Sequence, residues 1–285
     1  MNPTTATDSE TTKAGANLGR PKAGDYDAAT RTLLQTAIQI FCSILLTDDP
    51  FPSTAQEEKW ALSAWEIARS HHKVNIDHNP ALIRLITART SHLRGQFKAR
   101  ARSVVMNPNT YGFLSGQGED GIKGNRALVA ELKKASAFIY VERGLSIERH
   151  VGIYANPAIQ QVINEVLFKR ANDDGIRWAR YYSPFPRVGF ALTLTAIECA
   201  IDEWATGVRQ NVTFREEDYS DVFTSHMNAL NEFDEVASRY NLLPTILQQV
   251  FDNGCAHAGI VSIAAKKDKQ AVPSSAFVNA MQEYE

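Results

Sequence analysis

The spacing of apolar residues most constrains what this chain can fold into. In several segments, apolar side chains recur at intervals of three and four residues, which brings them to one face of an α-helix. Leu34, Ile38, Phe41 and Leu45 form the first such segment. Together the segments predict roughly seven helices and a mainly α fold, with at most a small hairpin in residues 138–154. We expect a single compact multi-helix domain.

The same pattern predicts the domain boundaries. Residues 1–24 are rich in Thr, Ala, Gly and Lys and have no apolar period, which predicts a disordered tail. Helical patterns fill residues 25–260, and residues 261–285 are predicted to be a flexible tail. Within the helical domain, the charges divide into a possible basic subregion at 25–135 and a possible acidic subregion at 156–258.

Composition narrows the class of protein. Hydrophobic residues make up 44% of the chain and charged residues 22%, as in ordinary folded proteins. The apolar run at 188–197 is shorter than the roughly 20 residues that a membrane span needs, so we expect no membrane partner. The first residues lack the pattern of a secretory signal, and the three widely spaced cysteines are typical of reduced thiols. These features predict an intracellular protein.

A basic helix is the strongest indication of function. Residues 80–118 contain six Lys or Arg and no Asp or Glu. Asn79 and Pro80 are suited to the cap and the first position of a helix that is predicted to run to about residue 104. On a helical wheel its apolar residues share one face, and a group of cations is predicted to point outward on another. These cations are Arg84, Arg94, Lys98 and Arg102.

Two kinds of partner suit such a face. Lysine and arginine side chains neutralise phosphates in nucleic acids, so this helix is a candidate DNA-binding element. The face could equally be solvated or meet an acidic protein surface. Residues 79–150 contain 12 Lys or Arg and 5 Asp or Glu, whereas residues 185–253 contain 4 and 11. Self-association between basic and acidic halves is therefore a second possibility.

A short motif in the N-terminal tail also suggests DNA. Residues 19–22 read GRPK, the core of an AT-hook-like arm whose arginine lies in the minor groove of A/T-rich DNA. Arg20 and Lys22 are therefore candidate nucleic-acid contacts. The basic residues that usually flank this motif are missing.

Two carboxylates give the best indication of an enzyme. Glu198 and Asp202 lie four residues apart on an apolar helix, and paired carboxylates can hold Mg²⁺ for phosphoryl transfer. They are equally explained by an acidic helix that pairs with basic residues elsewhere, including those of the basic helix. The chain has no Walker A or G-x-S-x-G motif. We expect no cofactor, assign no catalytic residue, and keep this pair as the candidate metal ligands.

Several ordered stretches resemble a known family. They are GRPKAGDYD near residue 19, DDPFP at 48, SHLRGQFKARAR at 91, YGF at 111, YANPAIQQVIN at 154, PFPRVGFALTLTAIECAIDEWATG at 184 and DYSDVFTSHMNAL at 218. Together they resemble the fungal (basidiomycete) domain of unknown function 6532, from about Arg20 to Ala258. The resemblance implies an α-rich domain in an intracellular setting. It implies no activity and no catalytic residue.

The sequence thus leaves three functional hypotheses. The first is a non-enzymatic DNA-binding module, in the nucleus rather than the cytoplasm, that uses the basic helix and the tail arm. The second is a protein-interaction module that works through charge complementarity. The third is a metal-dependent phosphoryl-transfer enzyme, which needs further carboxylates near Glu198 and Asp202.

Overall fold

The computed structural model describes residues 22–116 and 118–260. These residues form one compact helical domain, which confirms the mainly α prediction. Its α-helices outnumber the roughly seven expected from the sequence. They are α1 (Ala28–Thr47), α2 (Thr54–His72), α3 (Pro80–Thr87), α4 (Arg89–Val105), α5 (Pro108–Tyr111), α6 (Glu119–Lys133), α7 (Pro157–Leu167), α8 (Asp174–Arg177), α9 (Ala179–Tyr182), α10 (Arg187–Asp202), α11 (Glu216–Val236) and α12 (Leu242–His257).

Side-chain caps fix the starts of the early helices. Asp27 accepts hydrogen bonds from the amides of Ala29 and Thr30, and Asn79 accepts one from the amide of Leu82. Each bond satisfies an amide that has no partner inside its helix. For α2, Ser53 is the cap and accepts a hydrogen bond from the amide of Gln56. The predicted start of α3 is therefore confirmed.

The basic segment is two helices, not one. Its first part, α3, ends at Thr87, and α4 begins at Arg89 after Ala88, whose ψ of −10° departs from regular helix geometry. The buried positions nevertheless continue in the same helical phase from Leu82 and Ile86 to Leu93 and Phe97, and the buried side of α4 is wider than the apolar stripe. Thr90, Leu93, Phe97 and Lys98 are buried together on the inner side of α4. Gly95 lies within the helix and does not break it.

The core is built around α10. This helix packs against α4, α11, α1 and α7. Every residue of α10 is buried except Arg187, Glu198 and Asp202. Thr193 and Thr195 are buried too, and their hydroxyls donate to main-chain carbonyls four residues earlier at 2.8 Å. The three charged residues are thus the points at which α10 reaches polar partners.

The predicted hairpin is present only as a single bridge. In the described chain, Glu142 and Val151 exchange two main-chain hydrogen bonds, of 3.1 and 3.0 Å, with no longer strand on either side. The preceding residues form a 3₁₀-helix, Lys134–Ile139, instead of a strand. Of the expected tails at residues 1–24 and 261–285, residues 1–21 and 261–285 lie outside the described residues, and the end of the first tail enters a 3₁₀-helix at Ala23–Asp25.

One described helix is long and apolar enough to cross a membrane. It is α1, and 56% of its apolar window is buried inside the protein. A core helix of a folded domain has the same length and composition. The sequence analysis predicted α1 as a helix but compared only residues 188–197 with the length of a membrane span.

Two glycines allow a matched test of the packing. A methyl group at Gly254 of α12 would lie 2.7 Å from the ring of Phe168, whereas at Gly95 nothing lies within 4 Å. We expect Gly254→Ala to lower the free energy of unfolding by about 1–3 kcal/mol through overpacking. Gly95→Ala should raise it by about 0.5–1 kcal/mol, because alanine favours the helix. Urea denaturation of both variants measures the difference, and equal effects would contradict the described packing.

Candidate functional site

A buried carboxylate organises the inner side of α4. Glu203 follows the last residue of α10, and its side chain is 0% exposed. Arg102 donates from Nε to both carboxylate oxygens at 2.9 Å and from Nη2 to Oε1 at 2.7 Å. Lys98 places Nζ 2.5 Å from the same Oε1. Two of the predicted DNA-contacting cations are therefore paired with a buried carboxylate, Lys98 itself buried and Arg102 partly exposed.

A third cation completes this cluster. Arg209, in the loop after α10, donates from Nη1 to Oε2 of Glu203 at 3.1 Å. Lys98 also donates to the carbonyl of Val212, and Arg102 to the side chain of Asn211. Burial alone would raise the pKa of Glu203, but the hydrogen bonds from Arg102 and Lys98 outweigh it and hold that pKa below its usual value. The carboxylate is thus kept ionised.

Arg94 also points into the protein and not toward solvent. Its side chain is 12% exposed, and Nη1 donates to the carbonyl of Pro50 at 2.7 Å. The guanidinium lies 4.8 Å from the ring centroid of Phe51, a cation–π distance. Nη2 lies 3.7 Å from a carboxylate oxygen of Glu216 at the start of α11. The expectation of an outward cationic face at Arg94, Lys98 and Arg102 is therefore corrected.

The candidate metal ligands pair with a lysine. Lys133 Nζ lies 3.3 Å from Oε1 of Glu198 and 2.6 Å from Oδ1 of Asp202. His226 Nε2 lies 2.9 Å from the other oxygen of Glu198, and Tyr219 donates its hydroxyl to Asp202 at 3.0 Å. Within residues 22–116 and 118–260, no group of three or more His, Cys, Asp or Glu is placed to hold a metal ion. An ammonium group occupies the space between the two carboxylates.

The remaining predicted contacts lie apart. Arg84 is exposed on α3 and lines a different depression of about 500 Å³, together with Glu57, Glu58 and His78. Lys22 is exposed at the edge of the described chain. Arg20 lies outside the described residues. The structure therefore does not bring the six predicted nucleic-acid contacts together on one face.

The free side of α4 borders a groove that the sequence did not predict. The groove has a volume of about 890 Å³. Its cationic or titratable residues are Lys22, Arg89 and His92, and no Asp or Glu of the described chain lines it. Small and apolar residues line the rest, chiefly Ala23, Leu85, Ala88, Gly95 and Ala99.

One further observation marks this groove as basic. The Nε of Arg89 is buried and has no hydrogen-bond acceptor among the described residues. Gln96 also lines a second depression of about 430 Å³, which Arg100 borders together with the carboxylates of Glu165, Asp173 and Asp174. Arg100 is exposed and forms no ion pair within the described chain. The groove, and not this second depression, is therefore the basic surface beside α4.

Comparison with known proteins places the chain in a family. A family model, described as a domain of unknown function (DUF6532), matches residues 36–233. The chain belongs to this family. The matched region contains the Glu203 cluster, which is Glu203 with Lys98, Arg102 and Arg209. It also contains the Lys133 cluster, which is Lys133 with Glu198 and Asp202, and the α4 side of the groove. Lys22 lies before the matched region. No curated protein and no solved structure matches the chain.

The buried carboxylates predict a dependence of stability on pH. The pKa of Glu203 and that of Glu198 lie below their usual value in the folded protein. Their contribution to stability is therefore complete above the unfolded-state pKa of about 4.3 and is lost as pH falls through the lower folded-state pKa. We expect the urea midpoint to fall more steeply below about pH 5 in the wild-type protein than in Glu203→Gln.

A matched control separates this effect from general acid unfolding. Glu232→Gln removes a carboxylate that is exposed on α11 and forms no ion pair in the described chain. Its urea midpoint should follow the wild-type curve across the same pH range. Parallel curves for wild-type protein and Glu203→Gln would contradict the assignment of Glu203 as a stabilising, ionised group.

Proposed function

We propose that this protein is a binding module whose groove along α4 takes an acidic protein segment with apolar side chains. The observation that carries the proposal is the lining of the groove: three cationic or titratable residues, an apolar floor and no carboxylate from the described chain. Charge complementarity favours an acidic partner, and the apolar floor favours one that also buries methyl or methylene groups.

Several features support a protein partner over a nucleic acid. A phosphate backbone is contacted by a series of exposed cations, and each contact adds to the salt dependence of binding. Three cations of α4, namely Arg94, Lys98 and Arg102, already contact the carbonyl of Pro50 or the carboxylates of Glu203 and Glu216. The groove that remains is partly apolar, which suits a side chain better than a phosphate. The partner is therefore a peptide or a helix face.

Nucleic-acid binding is the second candidate, and a specific observation favours it. Arg84 and Arg100 are exposed and form no ion pair within the described residues. Lys22, which is also exposed, is the last residue of the AT-hook-like motif at 19–22. A DNA strand that follows these cations would use a different set of contacts from the stripe that the sequence suggests. Both candidates can be compared in one experiment.

Binding to defined probes distinguishes the two candidates. The probes are a labelled peptide with Glu and Leu at helical spacing, a poly-glutamate peptide of the same length and a short DNA duplex, each measured by fluorescence anisotropy. We expect the Glu/Leu peptide to bind more tightly than the other two probes. Only this peptide has both carboxylates to pair with the cations of the groove and apolar side chains to contact its small and apolar residues. Arg89→Gln combined with Lys22→Gln should weaken its affinity about tenfold.

The control variant is Lys123→Gln, which removes an exposed cation on α6 that does not line the groove. Its affinity for the peptide should equal that of the wild-type protein. Tighter binding of DNA than of the peptide, lost on combining Arg84→Gln with Arg100→Gln, would overturn the protein-partner proposal in favour of nucleic acid. Peptide binding that the groove variant leaves unchanged would also overturn it.

A further inference from the structure

The Glu203 cluster has more positive than negative charge. Lys98, Arg102 and Arg209 all contact the one carboxylate of Glu203. In the described chain, none of these three cations forms an ion pair with any other carboxylate. Two positive charges thus lack a direct counter-charge. Arg102 and Arg209 are 30% and 35% exposed, so solvent screens part of this excess, and the partly buried remainder favours an adjacent anion.

A small cavity adjoins this cluster. It has a volume of about 220 Å³ and lies between residues 114–116, α6 and the segment 204–209. Arg209 lines it, with a side chain that is 35% exposed, and no carboxylate of the described chain does. The volume is below the roughly 300–1,000 Å³ of sites for drug-sized ligands. A small ion or a small organic acid fits it better.

The wall of the cavity includes an indole with an unused donor. Trp204 is 2% exposed, and its Nε1 has no hydrogen-bond acceptor within residues 22–116 and 118–260. The indole stacks on Phe113 with ring centroids 4.9 Å apart and an angle of 12° between the ring planes. Buried N–H groups normally have an acceptor, so the indole N–H of this cavity-lining residue is a donor available to an acceptor from outside the described chain.

The remainder of the wall is fixed by Asn125 of α6. Its amide nitrogen donates to the carbonyls of Leu114 and Gly207 at 2.8 and 2.9 Å, and its oxygen accepts from the amide of Leu114 at 3.2 Å. Gly207 has a φ of +83°, and a side chain there would collide with the carbonyl of Ile122 at 2.3 Å. The two sides of the cavity are thus held in place before any ligand binds.

We propose that this cavity is a binding site for a small oxyanion, a carboxylate or a phosphate. Arg209 supplies the charge and free guanidinium N–H groups, and the indole of Trp204 supplies a neutral N–H donor. Charge-assisted hydrogen bonds of this kind are stronger than neutral ones. Glu203 keeps Arg209 in position while Lys98 and Arg102 satisfy the rest of its carboxylate. The site is separate from the groove along α4 and does not depend on its function.

Isothermal titration calorimetry on the full chain at low ionic strength tests this proposal. The probes are inorganic phosphate and acetate, which separate the two kinds of oxyanion, with sodium chloride as a comparison. We expect phosphate or acetate to bind with one site per chain and chloride not to compete at equal concentration. Arg209→Gln should weaken binding at least tenfold, and Trp204→Phe, which keeps the stacked ring but removes the N–H, severalfold.

Two further variants keep the test decisive. Arg209→Lys retains the charge and should retain part of the affinity, whereas Lys123→Gln, outside the cavity, should bind as the wild-type protein does. Far-UV circular dichroism and thermal unfolding establish that each variant is folded. No heat from either oxyanion would overturn the proposal. Equal binding by wild-type protein and folded Arg209→Gln would overturn it too, because the ion would then bind elsewhere.

Discussion

The rest of the structure depends on one buried ion pair, between Glu203 and the cations of α4. Removing a carboxylate from water costs several kcal/mol, and the interior recovers this only if the charge is fully hydrogen-bonded. Here both oxygens accept from Arg102, and Lys98 and Arg209 each contact one of them. The cluster therefore joins the end of α10 to α4, on the same side of α4 on which Leu93, Phe97 and Ala101 are buried.

This orientation decides what α4 offers to a partner. With Arg94, Lys98 and Arg102 turned toward the protein, the outer side presents Arg89, Arg100 and a groove with an apolar floor. Some cations of α4 therefore form contacts within the protein, whereas Arg89 and Arg100 lie on its outer side. The carboxylates of α10 are paired within the protein in the same way. Glu198 and Asp202 both contact the ammonium group of Lys133 and do not project together into a cleft.

The sequence predicted the features that depend on near neighbours. Leu34, Ile38, Phe41 and Leu45 lie in α1, Asn79 and Pro80 begin α3, and the apolar run at residue 188 lies in α10. It could not predict the break at Ala88, because no proline or glycine marks it.

The candidate site was harder to predict because its contacts are distant in sequence. Arg102 and Glu203 are 101 residues apart, and charge counts alone cannot tell an internal pair from an exposed stripe. A double-mutant cycle with Lys98→Met and Glu203→Gln, measured by urea denaturation, tests the central claim most directly. We predict a coupling energy of about 2–3 kcal/mol between the two side chains. Additive effects, with a coupling energy near zero, would contradict the buried ion pair between Lys98 and Glu203.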